Sequence, residues 1–139
     1  MTDGCRLRVR YVLICDDLRT EDNGKQILIG VYTGGILFSK FPAQHVITVW
    51  CDVEQPEAGK IPLQLKVSFG KKDLFVAQVD MEVHTPAPTA VFAFKIPVRV
   101  ESVGTLRFQM RQHADDWQDL KEIEVLQGPT AASVVQQPA

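Results

Sequence analysis

No window of ten or more residues in this chain keeps a helical hydrophobic period. No apolar run approaches the ~18 residues a membrane-spanning helix requires. The first absence excludes helical bundles and strand–helix alternation; the second excludes a membrane span. Cysteine is scarce: Cys5, Cys15 and Cys51 are odd in number, and none sits in a CxxC pair. That is neither a disulfide framework nor a zinc ribbon. It reads as reduced thiols in a cytoplasmic protein, where a small buried Cys behaves as a hydrophobe. The early apolar run "YVLIC" is too short for a signal-peptide core and ends in two aspartates. Positive charge is also short, with 15 Lys and Arg against 17 Asp and Glu and a net charge of -2. A dedicated nucleic-acid binder needs a cationic surplus to displace counterions, so that class is set aside. His45, His84 and His113 stand far apart, outside any HxH or HExxH pattern. GxSxG, P-loop and GxGxxG signatures are all missing. The sequence therefore names no catalytic residue, no metal ligand and no cofactor.

What is present is alternation. In "RLRVRYVLIC" Leu7, Val9, Tyr11 and Leu13 fall on one face and Arg6, Arg8 and Arg10 on the other. Val12 and Ile14 then make the second face apolar too. "QILIGVY" is a second β-rich run, entered through "DNGK", whose Asn-Gly dipeptide suits a tight hairpin turn. "HVITVWCDVE" places Ile47, Val49, Cys51 and Val53 on one face. "IPLQLKVSF" is the cleanest case, with Ile61, Leu63, Leu65, Val67 and Phe69 inward. "LFVAQVDMEV" returns with Phe75, Ala77, Val79, Met81 and Val83 inward. "HTPAPT" is too rich in proline for a strand and reads as a connection crossing between sheets. "AVFAFKIPV", "TLRFQMRQ" and "WQDLKEIEVL" follow, the last two joined by "HADD". About eight short strands predict an all-β fold, an antiparallel β-sandwich of immunoglobulin-like or C2-like type, with a small β-barrel as the runner-up. The expected organisation is one domain over 1–127 and a flexible C-terminal tail over 128–139.

Chemistry concentrates in "CDDLRTEDNGK", where Asp16, Asp17, Glu21 and Asp22 surround Arg19. An EF-hand loop fails here: with Gly24 as its sixth residue, Arg19 falls first and Gly30 twelfth. Calcium held by several loops would need acids that only "HADD" adds. The plain reading is that two aspartates end the first strand and polar residues solvate its connection. A sharper one pairs one aspartate with Arg19 to shape an interaction loop, leaving the other acids exposed to a partner. The Gly pair in "VYTGGIL" reads as a bend or bulge. Arg6, Arg8 and Arg10 on one strand and Arg107 and Arg111 on another would form an anion-binding stripe if those strands lay side by side.

"LICDDLRTEDNGKQILIGVY", with "FP" at 41–42, resembles a family of small uncharacterised bacterial proteins defined only as a domain of unknown function. The likeness is strongest over residues 11–42. It implies a bacterial, cytoplasmic origin and brings no catalytic residues with it. The expected function is a non-catalytic binding or structural module, acting through a protein partner or as a homo-oligomer. A sandwich that binds an anion or calcium is the alternative, and an enzyme of unknown class comes third.

Overall fold

The computed structural model describes residues 7–54, 58–84, 88–112 and 116–128. Arg6, most of the "HADD" turn and all but the first residue of the expected tail lie outside the described residues. Among the described residues nine strands follow in order: β1 (Arg8–Thr20), β2 (Gln26–Val31), β3 (Gly35–Phe38), β4 (Ala43–Glu54), β5 (Gly59–Phe69), β6 (Lys72–Val83), β7 (Thr89–Val100), β8 (Gly104–Gln112) and β9 (Gln118–Gln127). They form two sheets, a four-stranded one in the order β2-β1-β4-β7 and a five-stranded one in the order β3-β9-β8-β5-β6. Among the described residues there is no helix, and neither sheet closes on itself, so the barrel is ruled out. The chain leaves β6 in one sheet and enters β7 in the other, the crossing expected at "HTPAPT".

The alternation explains the core. Ile61, Leu63, Leu65 and Val67 are buried along β5, and Ile47, Val49, Cys51 and Val53 along β4. Together with Ile14, Leu106 and Phe108 they make one apolar cluster drawn from both sheets. Each such side chain gains roughly 1.5–3 kcal/mol by leaving water.

Two expectations need correction. The bend read at the Gly pair falls on Thr33 and Gly34, but Gly35 already opens β3, an unexpected strand of four residues that pairs parallel with β9. A four-residue strand is too short to show a period. The expected face of β1 also breaks. Val9 lies opposite Val53 and Tyr11 opposite Asp52, so Arg10 is an extra residue in a bulge. One extra residue reverses the faces beyond it: Ile14 becomes fully buried while Tyr11 is 56% exposed.

β1 also changes partners partway. It pairs with β4 from Arg8 to Cys15, and with β2 from Cys15 to Thr20. Only Cys15 has a register partner on both sides, Val31 and Thr48. From Asp16 onward β1 and β2 form a two-stranded ribbon detached from β4. Register sets Trp50 opposite Leu13 and Gln26 opposite Thr20. In a straight strand those positions would lie ~23 Å apart at about 3.3 Å per residue. Yet the Trp50 indole Nε1 donates to Gln26 Oε1 at 2.9 Å. The ribbon therefore bends at Cys15–Asp16 and arches back over the outer face of its own sheet. That arch explains why Cys15 and Thr48, on the side away from the core, are 0% and 1% exposed.

The tip of the ribbon is a three-residue loop, not a two-residue Asn-Gly turn. Gly24 N–H donates to the Glu21 carbonyl at 2.9 Å, and Glu21 N–H to the Lys25 carbonyl at 2.7 Å. Asn23 Oδ1 accepts from Lys25 N–H at 3.0 Å, and Gly24 sits at φ +90°. This is a β-turn closed by one left-handed residue, the usual three-residue hairpin. Nothing lies within 4 Å of a Cβ built on Gly24, so substitution there costs conformation alone. Gly24→Val is expected to destabilise by about 1–3 kcal/mol and Gly24→Asn by much less, since asparagine tolerates this region. Urea unfolding of both variants checks it; equal midpoints would contradict the turn.

Candidate functional site

The bend is held by Asp16. Its Oδ1 accepts hydrogen bonds from the Tyr32 hydroxyl and from His45 Nε2, the latter at 2.8 Å. An ionised carboxylate only accepts, so the His45 ring carries its proton on Nε2. Tyr32 follows the end of β2 and continues the ladder, its N–H donating to the Ile14 carbonyl at 2.8 Å. His45 lies on β4, two residues ahead of the buried Ile47. Gly30 completes the corner: it stands at φ +70°, and a Cβ on it would lie 2.6 Å from Asp16 Oδ2. Desolvation pushes the Asp16 carboxyl up, but the hydrogen bonds from Tyr32 and His45 outweigh it and hold the group below its ordinary value. Burial, and then the bond to Asp16, push the Tyr32 phenol up.

Asp17 points the other way and ties the ribbon to the sheet. Its Oδ2 accepts from Arg19 Nε at 2.9 Å, and its Oδ1 accepts from Leu18 N–H at 2.8 Å and Lys95 Nζ at 3.1 Å. Arg19 first, then the Leu18 amide and Lys95, lower the carboxyl to about 2. An unfolded aspartate titrates near ~3.9. The stabilisation from Asp17 is therefore fully present above that value and is lost as pH falls through about 2. Carboxyl NMR should show Asp17 titrating near the lower value, with a midpoint that rises in Lys95→Met. An ordinary midpoint in the wild type would contradict these contacts.

Glu21 and Asp22 are exposed at the ribbon tip and make no ion pair among the described residues. The buried thiols are unreactive: burial pushes Cys51 up to about 12 and also raises Cys15. Among the described residues no three His, Cys, Asp or Glu side chains gather as a metal site would require.

The arginine stripe does not form, because β1 and β8 belong to different sheets. Arg8 faces Glu54 at 4.0 Å, and Arg10 faces Asp52 at 3.7 Å. Arg107 pairs with Glu122 at 2.9 Å. Arg111 donates to Gln64 at 2.6 Å and lies over the Trp117 ring at 4.4 Å, a ring that Lys66 also covers at 4.3 Å.

Sequence reasoning marked Asp16 but missed both its partners, Tyr32 and His45. A signal for His45 existed: extending the Ile47–Val53 alternation backward puts it on the core-facing side. Nothing local marks Tyr32, which is brought to Asp16 only by the pairing of β1 with β2.

The chain belongs to the Family of unknown function (DUF6941), whose model matches residues 10–112, a span holding the whole Asp16 corner. Among solved structures, one described as "Putative ApaA Protein from Bordetella pertussis" is similar at a TM-score of 0.34 and 11% identity, covering 88% of this chain and 98% of that one. No curated protein matches the chain.

Proposed function

We propose that this chain is a non-catalytic binding module, a single β-sandwich domain over 1–127 whose arched β1–β2 ribbon engages a protein partner. The observation that carries the reading is the row Ile27, Ile29 and Val31, which are 45%, 42% and 39% exposed on β2. These side chains alternate along an edge strand that carries no charged residue from Gln26 to Val31. Exposed edges are ordinarily guarded by charge or proline. β7, the opposite edge of the same sheet, carries Lys95, Pro97 and Arg99, and the edge strand β6 carries Lys72, Asp73, Asp80 and Glu82. A two-stranded ribbon is also marginal by itself, and strand addition is a recurrent way to complete one. In this reading Asp16 fixes the bend, Asp17 and Arg19 fix the arch, and Glu21 and Asp22 offer rim charges that steer encounter. A bacterial cytoplasmic setting belongs to the same proposal, supported by the free, buried thiols of Cys15 and Cys51.

The test is cross-linking in a bacterial host lysate with wild type, Ile29→Lys on the ribbon and Val76→Lys on β6. A partner captured by wild type and Val76→Lys but lost in Ile29→Lys supports the ribbon. Capture that Ile29→Lys leaves unchanged, in a variant with native circular dichroism, refutes it.

A further inference from the structure

The outer face of the five-stranded sheet gathers two cations at one aromatic ring. Gln64 and Lys66 alternate with the buried Leu63, Leu65 and Val67, so both point away from the core. Arg111 points the same way beside the buried Met110 on β8, and register sets it directly opposite Gln64. Its Nε donates to Gln64 Oε1 at 2.6 Å. Trp117, just before β9, lies against both cations: Lys66 Nζ is 4.3 Å and Arg111 Cζ 4.4 Å from its ring centroid.

The group is short of negative charge. Arg8, Arg10, Arg19, Arg99 and Arg107 each lie within 4.0 Å of a carboxylate, whereas Arg111 has no such partner among the described residues. Lys66 has none there either. Both side chains are half-buried, and like charges held at one ring repel each other. The ring's π face offsets part of that repulsion. Donors are also left over. The Arg111 Nη groups, the Lys66 ammonium, the Gln64 amide nitrogen and the Trp117 indole N–H make no hydrogen bond among the described residues.

The surroundings limit what fits. Asp80, Asp119 and Glu122 stand on the same face, opposite Pro62, Gln109 and Arg107 in register, and Asp116 precedes Trp117. A long polyanion laid across the sheet would run onto these carboxylates, so the group suits a compact anion.

We propose that Lys66, Arg111 and Trp117 bind a compact phosphate dianion, free or as a small monoester. Two cations match its charge, whereas a carboxylate would leave one of them unmatched. Its terminal oxygens accept from several directions, and the guanidinium fork, the ammonium and the indole N–H supply donors of that kind. The set shares only Arg111 with the stripe that does not form. It lies on the sheet without the β1–β2 ribbon, so it stands or falls independently of the docking role.

The chain has two tryptophans, so nitrogen-15 NMR of the indole N–H groups reads the site directly. Trp117 reports binding, and Trp50, held by Gln26, is the reference in the same sample. The full chain is titrated with glycerol phosphate, inorganic phosphate and acetate at constant ionic strength. The expected result is a saturable Trp117 shift at millimolar phosphate with Trp50 unmoved, and acetate binding at least about tenfold weaker. Whichever of the two phosphates binds more tightly identifies the source, ester or free ion. Arg111→Gln and Lys66→Gln should each weaken phosphate binding about tenfold. Arg8→Gln removes the same charge from the other sheet and should leave binding intact, and circular dichroism confirms that each variant is folded. No saturable Trp117 shift with either phosphate would overturn the proposal. So would equal affinity for acetate, or unchanged binding in folded Arg111→Gln. Tighter binding of a thymidine oligonucleotide than of glycerol phosphate would overturn it too, by making the face a nucleic-acid surface.

Discussion

Gly30→Val is expected to cost roughly 2–6 kcal/mol, well above an ordinary surface substitution. Two penalties combine. A β-branched residue at φ +70° is strained by ~1–3 kcal/mol, and overpacking adds a similar amount. The second penalty arises because the new Cβ would meet Asp16 Oδ2 at 2.6 Å. A free carboxylate would swing aside, but this one is held by Tyr32 and His45. The two penalties separate in a double-mutant cycle. In an Asp16→Ala background the contacts with the carboxylate disappear, although residue 16 keeps its Cβ 3.2 Å away, and the strain remains, so Gly30→Val should then cost at least about 1 kcal/mol less. Chemical denaturation of the four proteins gives the numbers. Strict additivity would show that Asp16 does not press on Gly30.

Phe108→Ala should cost about 3–5 kcal/mol, because Phe108 is 1% exposed within the cluster drawn from both sheets. Its neighbour on the other face of β8, Arg107, pairs with Glu122 at the surface, so Arg107→Gln should change stability by no more than ~0.5 kcal/mol. The contrast between adjacent residues of one strand tests the inward–outward assignment of β8 directly. A midpoint in Phe108→Ala within error of wild type would place that ring outside the core.

Several of these features are legible in the sequence and several are not, for physical reasons that differ. β5 reads correctly because each inward residue from Ile61 to Val67 is large and apolar and its neighbours are mostly polar. β1 misleads, since a bulge at Arg10 inserts one residue and turns Tyr11 outward without any glycine or proline to announce it. β3 is too short to carry a period and gains its place from pairing with β9, a partner almost ninety residues away in sequence. "CDD" and "IGVY" look deliberate and are, but for a reason no spacing contains. Asp16 stands where β1 loses β4 as a neighbour, and only the fold decides where that happens. His45 and Tyr32 meet Asp16 because three strands bring them to one corner. The aspartates expected to end the first strand sit inside it, and the solvated connection shrinks to the tip around Gly24.

The placement of the ribbon depends on its arching over Trp50 from the Asp16 corner. A nuclear Overhauser experiment on the Trp50 indole proton tests this most directly. Wild type should show cross-peaks from that proton to the Gln26 side chain, whose Oε1 lies 2.9 Å from Nε1. In Asp16→Ala those cross-peaks should weaken or vanish, while the β1–β2 ladder peaks between Asp17 and Ile29 persist. If the wild type shows the intact ladder but no contact between Trp50 and Gln26, the ribbon extends into solvent, and the account of the corner is wrong.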